Sequence, residues 1–102
     1  MNLNKIKIVV QHFEGCPNGP KMIANVSEAI AKFPELIEYE EQLVETNEKA
    51  REVHFRGSPT LLINGQDFEN LPEPESPSLA CRFYGNGVPA TEEIERYIKN
   101  LV

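Results

Sequence analysis

The sequence predicts an α/β domain whose elements run β-α-β-α-β-β-α, and three observations predict it. Lys5 to Val10 alternates and then closes on a β-branched pair, the pattern of a strand with a buried end. Pro20 to Phe33 places Met22, Ile23, Val26, Ile30 and Phe33 at helical spacing, so it is an amphipathic helix. Thr60 to Asn64 is an apolar strand that runs into Asn64-Gly65, a strong type I′ hairpin signal.

The other elements are read from the same kinds of signal. Gln11 to Gly19 is rich in turn formers and reads as a loop. Pro20 suits a first helical turn, where a missing N–H costs nothing, and Pro34 ends the helix. Glu35 to Arg56 supports two readings. One is a single helix with Leu36, Ile37, Glu40, Leu43 and Val44 on one side. The other is a strand carrying Ile37, Tyr39 and Leu43, a turn at Thr46-Asn47, and a short helix from Glu48 to His54. The second is preferred, because Tyr39, Val44 and Thr46 suit a strand and Thr46 can N-cap the short helix. Gln66 to Phe68 is the return strand of the hairpin. Leu71 to Pro77 carries Pro72, Pro74 and Pro77, so it is an extended irregular loop. Leu79 to Tyr84 is a short ordered segment. Thr91 is expected to cap a last helix, with Glu92 and Glu93 in its first turn and Ile94, Tyr97, Ile98 and Leu101 as its apolar stripe.

Composition narrows the class. A chain of 102 residues with 40% apolar content supports one modest core, residues 1 to 102 as a single domain. Sixteen acidic against ten basic residues give a formal charge of −6, which argues against nucleic acid or an anionic membrane surface as partner. No apolar run is long enough to span a bilayer, and the stretch from Met1 to Lys5 lacks the features of a secretory leader. A cytoplasmic location is the expectation. Two cysteines in such a setting point to reduced or redox-active thiols rather than a structural staple, and their separation rules out a compact zinc knuckle.

Two stretches carry the chemistry: Glu14-Gly15-Cys16-Pro17-Asn18-Gly19 ahead of the first helix, and Gly57-Ser58-Pro59-Thr60-Leu61-Leu62-Ile63-Asn64-Gly65 entering the third strand. Together with the element order they resemble the thioredoxin/glutaredoxin superfamily, and in particular small bacterial thioredoxin-like proteins. The resemblance covers nearly the whole chain in element order. It implies a mixed central sheet with helices on both faces, thiol–disulfide exchange without a cofactor or metal, and a cis bond between Ser58 and Pro59. It also implies that the Ser58 backbone stands unpaired before Cys16, so that Ser58, Pro59 and Thr60 bind an extended peptide or a glutathione-like substrate. The partner class is a protein disulfide or a low-molecular-weight thiol such as glutathione. The chain departs from the family in three ways. Gly19 stands where the second thiol of Cys-x-x-Cys would be, Phe13-Glu14-Gly15 replaces the usual tryptophan segment, and a Pro-rich insert carries Cys81.

Each candidate residue has a functional and a bland reading. Cys16 at a helix N-terminus would face free N–H groups and the positive end of the helix dipole, both of which favour the thiolate. Glu14 opposes this by its charge. The bland reading is a half-buried cysteine in a turn. Cys81 should return to the same end of the sheet as Cys16, where it would resolve a mixed disulfide or share a soft metal ion, with Arg82 able to lower a thiol pKa. Otherwise it is a small buried hydrophobe. His12 could turn toward Cys16, and His54 suits a helix C-terminus, but both read more simply as surface residues. Glu38, Glu40, Glu41 and Glu45 read as a solvated face, and the Pro-Glu loop as a lid or a plain surface loop. The leading expectation is a thiol–disulfide oxidoreductase-like protein with Cys16 as nucleophile and Cys81 as resolving thiol. Its rivals are a soft-metal thiolate-binding module and an interaction domain of the same fold without turnover.

Overall fold

The computed structural model describes residues 5–102, and the reading of Met1 to Asn4 as free of a leader lies outside the described residues. The order is β1 (Ile6–His12), α1 (Asn18–Ile30), β2 (Ile37–Leu43), α2 (Asn47–Glu52), β3 (Thr60–Ile63), β4 (Gln66–Asp67) and α3 (Thr91–Leu101). The four strands form one mixed sheet in the order β2-β1-β3-β4. β1 and β2 are parallel with Ile6 opposite Ile37, whereas β3 lies antiparallel to both β1 and β4. The chain is therefore a mixed α/β protein, and the strand-plus-helix reading of Glu35 to Arg56 holds.

Period-2 alternation in β1 decides which face is which. Ile6, Ile8 and Val10 point to one side and pack with Leu61 and Ile63 of β3 against Met22, Val26 and Ala29 of α1 and Ile94 and Ile98 of α3. Gln11 points to the other side, where its Nε2 donates to the carbonyl of Val53 at the end of α2 (3.5 Å). That side has its own small cluster, Val44, Ala50 and Phe55, with Phe13 and Val53 against it. The Phe13 and Phe55 rings meet edge to face at 6.4 Å, a geometry that suits aromatic quadrupoles. β2 is one edge of the sheet, and Glu38, Glu40, Glu41 and Glu45 are exposed, so the acidic run is a solvated face. Among the described residues, no helix is long and apolar enough to cross a membrane.

The boundaries shift in places, for local reasons. α1 begins at Asn18 rather than Pro20, which leaves Pro20 in its first turn, and it ends at Ile30 rather than Phe33. Thr46 caps α2 as expected, accepting from the Lys49 N–H at 3.0 Å. Thr91 does not cap α3. The carboxylate of Glu93 reaches back to the Ala90 N–H (2.9 Å), and the Thr91 hydroxyl donates instead to Glu28 of α1 (2.9 Å), so a tertiary partner outcompetes the local one. Asn64 and Gly65 both have positive φ (53° and 83°), as a type I′ turn demands.

Phe55 is 1% exposed and fills the centre of the smaller cluster. Truncation to alanine removes that filling, and Phe55→Ala is expected to destabilise the fold by about 3–5 kcal/mol, read by denaturant unfolding.

Candidate functional site

The chain after β4 does not wander. Asp67 Oδ2 accepts from the N–H groups of Glu69 (2.9 Å) and Leu71 (3.0 Å), which turns the chain away from the sheet. The Pro-rich stretch then runs as an irregular strap, tied by the Leu79 N–H to Asn47 Oδ1 (3.1 Å). It returns to the sheet at Ala80 to Arg82. There the Ser58 N–H donates to Ala80 O and the Arg82 N–H donates to Ser58 O, both at 2.8 Å, forming a parallel bridge between Ser58 and Cys81.

The Arg82 side chain locks this return. It forms a two-pronged ion pair with Asp67 at 2.6 and 2.9 Å, donates to Thr60 Oγ1 at 3.2 Å, and lies over the Tyr84 ring at 5.0 Å. The pair is shut away from water, with side chains 7% and 2% exposed. Burial alone would raise the Asp67 pKa, but the Arg82 hydrogen bonds and charge, with the Leu71 and Glu69 N–H groups, hold it below the usual carboxylate range. The Tyr84 hydroxyl donates to Pro59 O at 2.6 Å. Gly57, at φ 110°, lies under the strap; a Cβ there would come within 2.9 Å of the Arg82 Cβ. A glycine is needed where two backbones approach this closely.

This arrangement brings Cys81 to Cys16. The two cysteines lie 3.3 Å apart, both as free thiols. Cys16 sits just before α1: the Gly19 N–H donates to the Cys16 carbonyl at 3.1 Å, and the Asn18 and Gly19 N–H groups favour negative charge on the sulfur. In its thiol form it donates to Ser58 O at 3.2 Å. Burial opposes ionisation of Cys16. It is outweighed by hydrogen bonds from Cys81, from the Ser58 side chain and from the two N–H groups, so the Cys16 pKa falls below the ordinary thiol value. Cys81 moves the other way. Its hydrogen bond to Cys16 comes first, then desolvation and the Cys16 charge, and together they keep it protonated. Of the pair, Cys16 is therefore the thiol that ionises first and Cys81 the one that holds its proton longer.

The sequence-derived site residues fare differently. Cys16 and Cys81 meet, and the Ser58–Pro59 bond is cis. The expectation of an unpaired Ser58 backbone is corrected, because the chain's own Ala80–Arg82 segment satisfies it. Pro59 O is taken by Tyr84, and the Thr60 hydroxyl donates to Gly57 O, so Ser58, Pro59 and Thr60 are all buried and engaged internally. Arg82 does not lower the Cys81 pKa; its charge is spent on Asp67. His12, Glu14 and Cys16 share the wall of an apolar groove of about 630 Å³ with Phe13, Pro17 and Ile23. His54 instead faces Glu73 at 3.5 Å on the surface. Asp67 and Tyr84 went unforeseen, because nothing local in the sequence links them to residues far along the chain. Among the described residues, no group of three or more metal-type side chains converges.

This geometry carries expected outcomes for the ion pair and for the thiol pair. Asp67→Asn leaves the buried guanidinium without its counter-charge and is expected to cost about 3–5 kcal/mol in denaturant unfolding. The stability that Asp67 contributes is complete above the ordinary carboxylate pKa and is lost as the pH falls through its lowered folded value. Cys16 should titrate below an ordinary thiol in an ultraviolet thiolate titration. Cys81→Ala removes a hydrogen-bond donor to the Cys16 thiolate and should raise the Cys16 pKa, while Cys16→Ala should bring the Cys81 pKa down.

No protein-family model matches this chain, and a search of curated proteins finds no relative.

Proposed function

We propose that the protein is a thioredoxin-like thiol–disulfide oxidoreductase, with Cys16 as the nucleophilic thiol and Cys81 as its partner thiol. The observation that carries this reading is the convergence of two sequence-distant thiols to 3.3 Å, with the helix N-terminus on one of them. A thiol of lowered pKa against a second thiol is the starting arrangement for making and breaking one disulfide. The pair closes to a disulfide as a substrate disulfide X–S–S–X opens to two thiols, so two electrons and two protons pass to the substrate. The substrate class is a protein disulfide or a low-molecular-weight disulfide such as that of glutathione. The parallel β-α-β unit followed by a hairpin and a closing helix supports the thioredoxin-like reading of the fold. Two free thiols suit a compartment where cellular thiols keep them reduced, so the cytoplasm belongs to the same proposal.

A shared soft metal ion is the rival use of two thiols. With metal–sulfur bonds near 2.3 Å, two thiolates on one tetrahedral ion stand about 3.8 Å apart, and wider at larger angles. The observed 3.3 Å falls between a disulfide bond of about 2.05 Å and this spacing, so the distance is compatible with either use.

Mild diamide treatment of dilute protein tests the reading. The expected product is a monomer lighter by two hydrogens, with a cross-linked peptide joining Cys16 and Cys81. Reduction of a model disulfide should be lost in both Cys16→Ser and Cys81→Ser. Unchanged behaviour of the double variant would instead leave an interaction domain without turnover.

A further inference from the structure

The two thiols differ sharply in access. Cys16 is 4% exposed, although its residue forms part of the groove wall, whereas Cys81 is exposed. Thiol–disulfide exchange requires the attacking sulfur to approach in line with the breaking bond, from the side away from the leaving sulfur. The Cys16 sulfur lies against Ser58 O at 3.2 Å, with the turn into α1 beside it. Beside Cys81 lies a hollow of about 130 Å³ lined by Arg56, Gly57, Pro74, Ser76 and Ser78.

We propose that external thiols and disulfides exchange at Cys81, so that the mixed disulfide is carried by Cys81 while Cys16 acts only inside the protein. This rests on the dithiol reading above and reverses the expected division of labour within it. The hollow admits the sulfur end of a small molecule, so the class is a low-molecular-weight thiol. In reduction of the protein, an external thiolate RS⁻ attacks the Cys81 sulfur of the Cys16–Cys81 disulfide. The RS–S(Cys81) bond forms, the Cys81–Cys16 bond breaks, and its electron pair leaves on Cys16 as thiolate. A second RS⁻ then attacks the external sulfur of the mixed disulfide and releases RSSR, and the Cys81 thiolate takes a proton from solvent. The net change is one protein disulfide plus two RSH giving the dithiol plus RSSR. In oxidation the steps run backward. The Cys81 thiol gives its proton to solvent as its sulfur attacks RSSR, RS⁻ leaves, and the Cys16 thiolate attacks Cys81 and expels a second RS⁻. The helix N-terminus stabilises Cys16 as a leaving group, and a leaving thiol of lower pKa departs faster.

Glutathione is the probe. Wild-type protein oxidised with diamide is mixed with glutathione, quenched in acid after short times, alkylated and mapped by mass spectrometry. The expected intermediate carries glutathione on Cys81 and the alkyl group on Cys16. With glutathione disulfide, Cys16→Ser should accumulate one adduct, on Cys81. Cys81→Ser should react roughly tenfold more slowly or worse, because its remaining thiol is covered. Circular dichroism checks that both variants are folded, and the wild-type trapping experiment needs neither. Glutathione mapped to Cys16 in the wild type, or Cys81→Ser reacting as fast as wild type, overturns the inference and leaves the dithiol reading standing. Failure of the wild type to form any Cys16–Cys81 disulfide overturns both.

Discussion

The ion pair between Asp67 and Arg82 is the constraint on which the site depends. It joins the short β4 strand to the strap that returns fifteen residues later in the chain. A buried ion pair gains little over a well-packed apolar pair, because desolvation offsets most of the Coulomb attraction. Its value lies in direction. The planar guanidinium meets both carboxylate oxygens, and that geometry leaves little freedom in where the Arg82 backbone sits. The Arg82 N–H therefore meets Ser58 O, and the neighbouring residue, Cys81, is delivered to Cys16.

The strap has a second consequence. The backbone of Ser58 would otherwise be an open edge beside the thiol, and open edges pair with whatever extended chain is at hand. Here Ala80 to Arg82 takes that place from within the same chain. The covering segment shields Cys16 and brings a thiol of its own. An extended peptide cannot pair with the Ser58 backbone while this segment holds it.

The opposite pKa directions of the two cysteines have one cause. Their contact lowers the Cys16 pKa and raises that of Cys81, and Ser58, then the Asn18 and Gly19 N–H groups, add to the fall at Cys16. Cys16 has the Asn18 and Gly19 N–H groups and the Ser58 hydroxyl to stabilise negative charge, whereas Cys81 has the Cys16 sulfur itself. The asymmetry would make Cys16 the better leaving group and Cys81 the better-exposed target, which is the polarity proposed for the exchange.

The sequence by itself determined the elements and their order. Alternation in Lys5 to Val10, helical spacing after Pro20, the capping threonine at Thr46 and the Asn64-Gly65 turn are all local signals, and each reports on backbone preference within a few residues. The thiol at the start of α1 was legible for the same reason, since its chemistry depends on the adjacent turn. Only the tertiary structure decided what lies opposite that thiol. The meeting of Asp67 with Arg82, of Tyr84 with Pro59 and of Cys81 with Cys16 joins segments that no periodicity connects. Thr91 shows the same limit on a smaller scale: its residue type suits a cap, yet a glutamate on another helix captured its hydroxyl. Local propensities are settled by neighbours in sequence, whereas the occupant of the Ser58 edge is settled by where a buried ion pair forces the chain to return.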